Sequence, residues 1–292
     1  GGGSSGGGSS VEDQVAAIVK QVIKQLPAAF DIEAVQRKYP VLYEQSMNTV
    51  ITQEMTRFNR LTIVVRRSML ELEKAIAGLV VMSSEMENAF FKISIGQVPD
   101  IWRKASYPTM KPLAGYLEDL YARLKMLQTW YEEGVPNVFW ISGFYFTQSF
   151  MTAASQNFAR RSRMPIDEVT FDFEVLGMDA EAYPKGPVDG VYIKGMFIEG
   201  CSFDPEKKVL CESTPKVLAT PAPLFWLVPK HISEIKPFKC YECPVYRTPD
   251  RRGVLATTGH STNFVMFLKT PTEHVPEHWT MRAVAMMCSL AD

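Results

Sequence analysis

The chain has 292 residues, of which 46% are hydrophobic and 22% are charged. These fractions are ordinary for a globular protein and exclude a disordered chain, a collagen-like fibre and a small disulfide-framed protein. The 31 Lys and Arg nearly balance the 32 Asp and Glu, so no global positive field is available to attract nucleic acid or an anionic membrane. The five cysteines are an odd number, which favours a reducing, cytoplasmic compartment.

The first ten residues, GGGSSGGGSS, contain only glycine and serine. Such a stretch has no side chains to bury, so we interpret residues 1–10 as a flexible engineered linker and set them aside. The remaining sequence has no run of apolar residues long enough to span a membrane, and we predict no transmembrane segment.

Proline divides the chain into two parts, with six prolines in residues 11–164 and thirteen in residues 165–292. Proline disrupts helix interiors, so long helices are expected only in the first part. There, apolar residues recur every three or four positions, which predicts helices over 11–26, 47–76, 112–133 and 147–163. Ser84 and Glu87 fit a capping box for a further helix that ends at Gly96.

The second part changes to the alternating pattern of strands. In 169–175, apolar and polar residues alternate, which is typical of a half-buried strand. Further strands are predicted over 191–199, 224–228, 240–248, 263–269 and 279–290. No helices are predicted between them, so the expected fold is α+β: an N-terminal helical segment followed by a small antiparallel β-barrel or sandwich.

Two short motifs contain possible zinc ligands. His274 and His278 match the H-x-x-E-H pattern of some metalloproteases, but Pro276 between them predicts a loop rather than a helix that presents both rings on one face. Cys240 and Cys243 form a single C-x-x-C in a predicted strand, where side chains three positions apart face opposite sides. We therefore assign no metal ligands, and a zinc hydrolase using the two histidines stays only as an alternative.

Residues 253–261 (GVLATTGHS) differ from a phosphate-binding loop. Five residues separate the glycines where that motif has four, and His260 replaces its lysine. We assign no catalytic residues and no cofactor-binding residues to this protein.

Longer segments carry a more specific signal. Their order and content resemble the C-terminal region of dynein heavy chains, and the axonemal, single-headed inner-arm type more than the cytoplasmic type. The segments are 139–150 (FWISGFYFTQSF), 164–167 (MPID), 189–193 (DGVYI), 195–200 (GMFIEG), 243–248 (CPVYRT), 251–264 (RRGVLATTGHSTNF) and the residues from 278 (HW) onward.

The resemblance implies a role outside catalysis. Dynein heavy chains carry a ring of six AAA+ modules, with ATP and Mg bound in modules that lie outside this fragment. Residues 11–96 would be the trailing helices of the degenerate sixth module, 97–164 the helical part of the C-terminal cap, and 165–292 its antiparallel β-barrel. The expected function is a structural and regulatory domain that docks on the ring and modulates the ATP-driven cycle of a microtubule motor in the axoneme of cilia or flagella.

The expected partners are the ring modules of the same heavy chain, together with axonemal light or intermediate chains; microtubules would be contacted only through the rest of the motor. Docking to another axonemal protein and a nucleotide-binding lid on the sixth module remain alternatives. Exposed turns and aromatic side chains are typical contact residues. The candidate contact residues are Arg251, Arg252, His260, Trp102 and Tyr145.

Overall fold

The computed structural model describes residues 9–251 and 263–292. Its helices are α1 (Val11–Gln25), α2 (Ile32–Lys38), α3 (Met47–Ile76), α4 (Ser84–Ser94), α5 (Asp100–Ala105), α6 (Leu113–Glu133), α7 (Thr147–Arg161) and α8 (Pro276–Thr280). Its strands are β1 (Val138–Trp140), β2 (Val169–Val175), β3 (Val191–Lys194), β4 (Phe197–Glu199), β5 (Ser202–Asp204), β6 (Val209–Cys211), β7 (Ala219–Pro221), β8 (Phe225–His231), β9 (Cys240–Tyr246), β10 (Phe264–Pro271) and β11 (Ala285–Met287).

The four long helices predicted from apolar spacing are confirmed as α1, α3, α6 and α7. Capping explains where several begin. Ser10 accepts a hydrogen bond from the Asp13 backbone N–H at 3.1 Å and so caps α1. The predicted cap of α4 was wrong by one residue, because Ser83 rather than Ser84 accepts the Met86 N–H. Among the described residues, no helix is long and apolar enough to cross a membrane.

The strands form mixed sheets rather than the predicted antiparallel barrel or sandwich. One sheet has the order β1-β3-β8-β2, a second has the order β10-β9-β11-β4-β7, and β5 pairs with β6. Two pairs, β1 with β3 and β11 with β9, are parallel. The described strands close no barrel, so the α+β class is confirmed while the antiparallel barrel was wrong.

Glycine explains why the predicted strand over 191–199 is divided. Gly195 has φ +98°, a conformation that L side chains rarely adopt, and a Cβ there would lie 2.2 Å from Trp140 Cδ1. The chain turns at this point, so β3 joins one sheet and β4 the other. The predicted strand over 279–290 was too long, because Trp279 lies in α8 and only Ala285–Met287 is a strand.

One hydrophobic cluster extends through both parts of the chain, from Val15 in α1 to Cys288 after β11. The aromatic segment 139–150 lies in this cluster, where Phe144 and Phe150 stack with ring centroids 4.6 Å apart. The helices and sheets therefore share a core.

A buried carboxylate fixes the start of α7 against α3. Glu54 has no exposed surface, and its two oxygens accept the backbone N–H groups of Tyr145 at 2.6 Å and Phe146 at 3.0 Å. Burial raises the pKa of Glu54, while these two hydrogen bonds and the guanidinium of Arg57 favour the ionised form. The contact joins residues 91 and 92 positions apart in sequence.

We expect Glu54→Ala to lower the free energy of unfolding by about 2–4 kcal/mol, because two backbone donors lose their shared acceptor inside the core. Urea unfolding at pH 7, followed by circular dichroism, measures the change. Glu71→Ala is the matched control, since Glu71 is exposed on the same helix and should cost less than about 0.5 kcal/mol. Equal effects of the two substitutions would contradict the role given to Glu54.

Candidate functional site

An apolar groove runs between α1 and α6 on the helical side of the molecule. One cavity of about 680 Å³ is lined by residues of α1, α4 and α6, including Ile18, Leu117 and Tyr121. A second cavity of about 570 Å³ is lined by residues of α2, α6 and the segment before α2, and it shares Gln25 and Tyr121 with the first. The shared residues make the two cavities adjoining parts of one surface, here called the α1–α6 groove.

The groove combines apolar walls with a polar rim that includes the charged residues Asp31, Glu118 and Lys125. Ile18 and Leu117 are partly buried and pack against the core, so they have apolar surface both toward the core and toward the groove. The side chains of Gln21, Gln25 and Gln128 supply amide groups around it. The apolar walls suit the apolar face of a helix or loop whose polar side meets the rim.

Two helix connections also expose large apolar side chains. Residues 41–43 lie between α2 and α3, and residues 79–81 lie between α3 and α4. Val41 is 82% exposed and Val81 is 92% exposed. Arg160 partly covers the first connection, because its guanidinium lies 4.6 Å from the Tyr43 ring centroid.

The structure places two of the predicted contact residues in packed positions. Trp102 is fully buried, and its Nε1–H donates to Ser68 Oγ at 2.8 Å, so it has no surface to offer a partner. Tyr145 is half-buried, and its hydroxyl donates to the Ala105 carbonyl at 2.6 Å. Both side chains stabilise the helical part from within.

The third predicted contact residue, Arg251, is half-buried and bonded to neighbouring elements. Its Nη2 lies 3.2 Å from Glu199 Oε1, and its Nη1 donates to the Ala283 carbonyl at 3.2 Å. Arg251 therefore connects the loop after β9 to β4 and to the segment before β11. Arg252, His260 and the segment 253–261 lie outside the described residues, and the contact roles of Arg252 and His260 stay predictions.

The segment around His274 and His278 differs from the predicted loop. Pro276 is the first residue of α8, a position that suits proline because the first helical N–H needs no partner within the helix. Val275 before it is extended, as proline requires, with φ −67° and ψ 149°. The rings of His274 and His278 consequently stack in parallel, with centroids 4.1 Å apart.

Glu212, which follows β6, completes this cluster. His278 Nε2 lies 2.6 Å from Glu212 Oε1, and Arg282 Nε donates to Glu212 Oε2 at 3.1 Å. The hydrogen bond from His278, followed by the bond from Arg282, lowers the pKa of Glu212. Among the described residues, Glu212, His274 and His278 are the group of His, Cys, Asp and Glu side chains whose potential ligand atoms converge.

The cysteines do not form a comparable cluster. Cys240 and Cys243 lie in β9, where Cys240 is half-buried and Cys243 is fully buried, and no disulfide joins any of the five cysteines. Burial raises the pKa of Cys201 to about 12 and that of Cys288 to about 11, and it raises the pKa of Cys243 well above its ordinary value. These three thiols are therefore protonated at neutral pH.

The sequence model of the family described as the C-terminal domain of the dynein heavy chain matches residues 1–288. The protein belongs to this family. It is 49% identical over 287 residues to dynein axonemal heavy chain 3 of Homo sapiens, which covers 98% of this chain and 7% of that protein. It is 47% identical over 293 residues to dynein axonemal heavy chain 12 of Homo sapiens, covering all of this chain and 9% of that protein.

A third relative, dynein axonemal heavy chain 1 of Rattus norvegicus, is 44% identical over 287 residues, which is 98% of this chain and 6% of that protein. This dynein C-terminal domain thus spans less than a tenth of the length of these relatives. The matches confirm the resemblance to axonemal dynein heavy chains that the long motifs indicated.

The sequence reasoning missed two features of this dynein C-terminal domain. Glu212 is 62 positions before His274 in sequence, and no local pattern connects the two residues. The α1–α6 groove was missed because an apolar stripe predicts a buried helix face without showing where two helices leave a gap. In the sequence, Ile18, Leu117 and Tyr121 show only the spacing of apolar residues on helices, and this spacing does not indicate a groove.

We expect native protein at pH 8 to show at most two rapidly reacting thiols toward an aromatic disulfide reagent. Only Cys211 and Cys240 are partly accessible, while Cys201, Cys243 and Cys288 are buried and hold their protons. All five thiols should react in guanidinium chloride. Loss of the rapid phase in a Cys211→Ser/Cys240→Ser variant would verify the assignment, and three or more rapid thiols in the native protein would contradict it.

Proposed function

We propose that this protein is a non-catalytic structural and regulatory domain of an axonemal dynein motor, which docks through the α1–α6 groove on AAA+ ring modules of its own heavy chain. The observation that carries the proposal is the open apolar groove. The chain that contains it covers less than a tenth of the length of its axonemal relatives. A groove of this kind loses its contact with water when another part of a longer protein covers it.

The groove has the composition of a surface for an apolar segment. Leu117 and Ile18 supply aliphatic contacts, and Tyr121 supplies a ring of the type enriched at interface hot spots. Burial of a large apolar side chain stabilises a contact by about 1.5–3 kcal/mol. An intramolecular partner needs only modest intrinsic affinity, because the covalent link gives it a high effective concentration.

The domain can modulate the motor through thermodynamic linkage between its docking and the conformation of the ring. A docked domain changes the relative free energies of ring conformations only if it contacts those conformations differently. In this proposal, residues 11–96 are trailing helices of the sixth AAA+ module and residues 97–292 form the cap, so the groove lies between the sixth module and the cap and its partner is another module of the ring. ATP and Mg bind in modules outside this segment, and microtubules are contacted through other parts of the motor. The protein works in the axoneme as part of a single-headed inner-arm dynein.

The test places a charge in the groove of the heavy-chain motor that contains this domain. We expect Leu117→Lys to favour the undocked state by about tenfold or more, because a charged ammonium would have to be buried at the interface. Limited proteolysis should then release the domain sooner, and the rate of ATP hydrolysis should change without being abolished. Ile232→Lys is the matched control, since Ile232 is 55% exposed in the short turn after β8, outside the groove.

Each outcome distinguishes the alternatives. Equal proteolysis of the two variants would contradict docking through the groove. Loss of ATP hydrolysis in a ring that is still folded would contradict the non-catalytic role. Unchanged ring contacts combined with loss of an axonemal light or intermediate chain from the assembled motor would show that the groove binds another axonemal protein instead.

A further inference from the structure

We propose that Glu212, His274 and His278 form a binding site for a divalent transition-metal ion of the zinc class. Each residue offers one potential ligand atom, and these atoms all lie within 4.8 Å of one another. Two imidazoles and one carboxylate are a ligand set that zinc accepts readily. The site is independent of the docking proposed above, because the residues lie in the sheet part of the molecule and line neither cavity of the α1–α6 groove.

Binding requires the ligand atoms to move closer and the stacked histidine rings to turn toward a common point, because the nitrogen lone pairs lie in the ring planes. Ligand atoms on a tetrahedral zinc ion lie about 3.4 Å apart, given bonds of about 2.1 Å. Glu212 and His274 are exposed, so their side chains can rotate toward an ion without disturbing the core. His278 Nε2 and Glu212 Oε1 are already 2.6 Å apart, and an ion would replace the proton that they share.

A buried tryptophan packs against both histidines. The buried Trp279 contacts both rings edge-on, with centroid distances of 5.4 Å to His274 and 4.6 Å to His278. Thr272 Oγ1 accepts hydrogen bonds from Trp279 Nε1 at 2.6 Å and from the His274 backbone N–H at 3.0 Å. Such outer contacts orient metal ligands and reduce the ordering cost of binding.

The carboxylate is oriented in a similar way. Arg282 Nε donates to Glu212 Oε2, and Arg282 Nη1 donates to the His278 carbonyl at 3.0 Å, so one guanidinium links two of the three ligand residues. Oε1 stays directed at His278. The positive charge of Arg282 opposes a cation nearby, which favours an affinity below that of sites with thiolate ligands.

The ligands come from two parts of the sequence, Glu212 from one and the two histidines from the other, so a bound ion would act as a clip between them. Glu212 follows β6, His274 follows β10, and His278 lies in α8. The segments already contact one another through the bridge between Leu210 and Thr272 and through the pair of His278 with Glu212. The ion would therefore add stability to a folded domain rather than be required for folding, with water completing its coordination.

The test is titration of the chelator-treated 292-residue protein with zinc chloride at pH 7.5, followed by calorimetry. We expect one saturable site per molecule and a rise in Tm of about 2–6 °C at saturating zinc. His274→Ala and His278→Ala should each weaken binding by at least about tenfold and remove most of the Tm shift. His231→Ala is the matched control, because His231 also pairs with a carboxylate, Glu168 at 3.2 Å, and should bind zinc like the unaltered protein.

A cobalt titration separates this site from a cysteine site. Cobalt bound by Glu212, His274 and His278 should show no thiolate-to-metal charge-transfer absorption, and Cys211→Ser should leave zinc binding unchanged. Thiolate absorption, zinc binding that survives His274→Ala/His278→Ala, or no binding by the unaltered protein would each overturn the proposal. Apo forms of all variants should keep the same circular dichroism spectrum, which controls for misfolding.

Discussion

The carboxylate of Glu54 is the contact on which the arrangement of helices and sheets depends. It lies on α3 and accepts the backbone N–H groups of Tyr145 and Phe146, the two residues directly before α7. The backbone N–H groups at the start of a helix have no acceptor within the helix. A negatively charged group at that position also interacts favourably with the helix dipole. If this acceptor were lost, two backbone N–H groups would lack a partner, so the contact holds α7 in one position relative to α3.

Contacts at the start of α7 also connect the helices to the sheets. The Phe146 ring lies near two cations, with the Arg57 guanidinium 5.0 Å and the Arg247 guanidinium 5.6 Å from its centroid. Arg57 belongs to α3, whereas Arg247 follows β9, so one ring contacts side chains from both parts of the fold. Gln148 Nε2 donates to the Val265 carbonyl of β10 at 2.7 Å and ties the first turn of α7 to the second sheet.

Periodicity predicted the long helices well because each helix buries one stripe of its own sequence. In α3, Met55, Phe58 and Leu61 follow the spacing that the helix itself imposes, and all three are fully buried. The sheets were harder to predict. The three-residue strand β1 lies between two helices in the aromatic segment, and its parallel pairing with β3 joins residues more than 50 positions apart. Local alternation shows which residues face a core but does not show which strands become neighbours.

The candidate sites show the same limit at the level of single side chains. Pro276 was read as a helix breaker, although at the first position of α8 it helps to begin a helix, and the extended Val275 that it requires brings His274 over His278. The spacing of the two histidines was visible in the sequence, but Glu212 comes close to them only when the chain folds. The α1–α6 groove likewise depends on how far apart α1 and α6 lie, a distance set by α3, which packs against both helices. Glu54 on that same helix also accepts the two N–H groups before α7, so α3 contacts the helices that line the groove as well as the element that leads into the sheets.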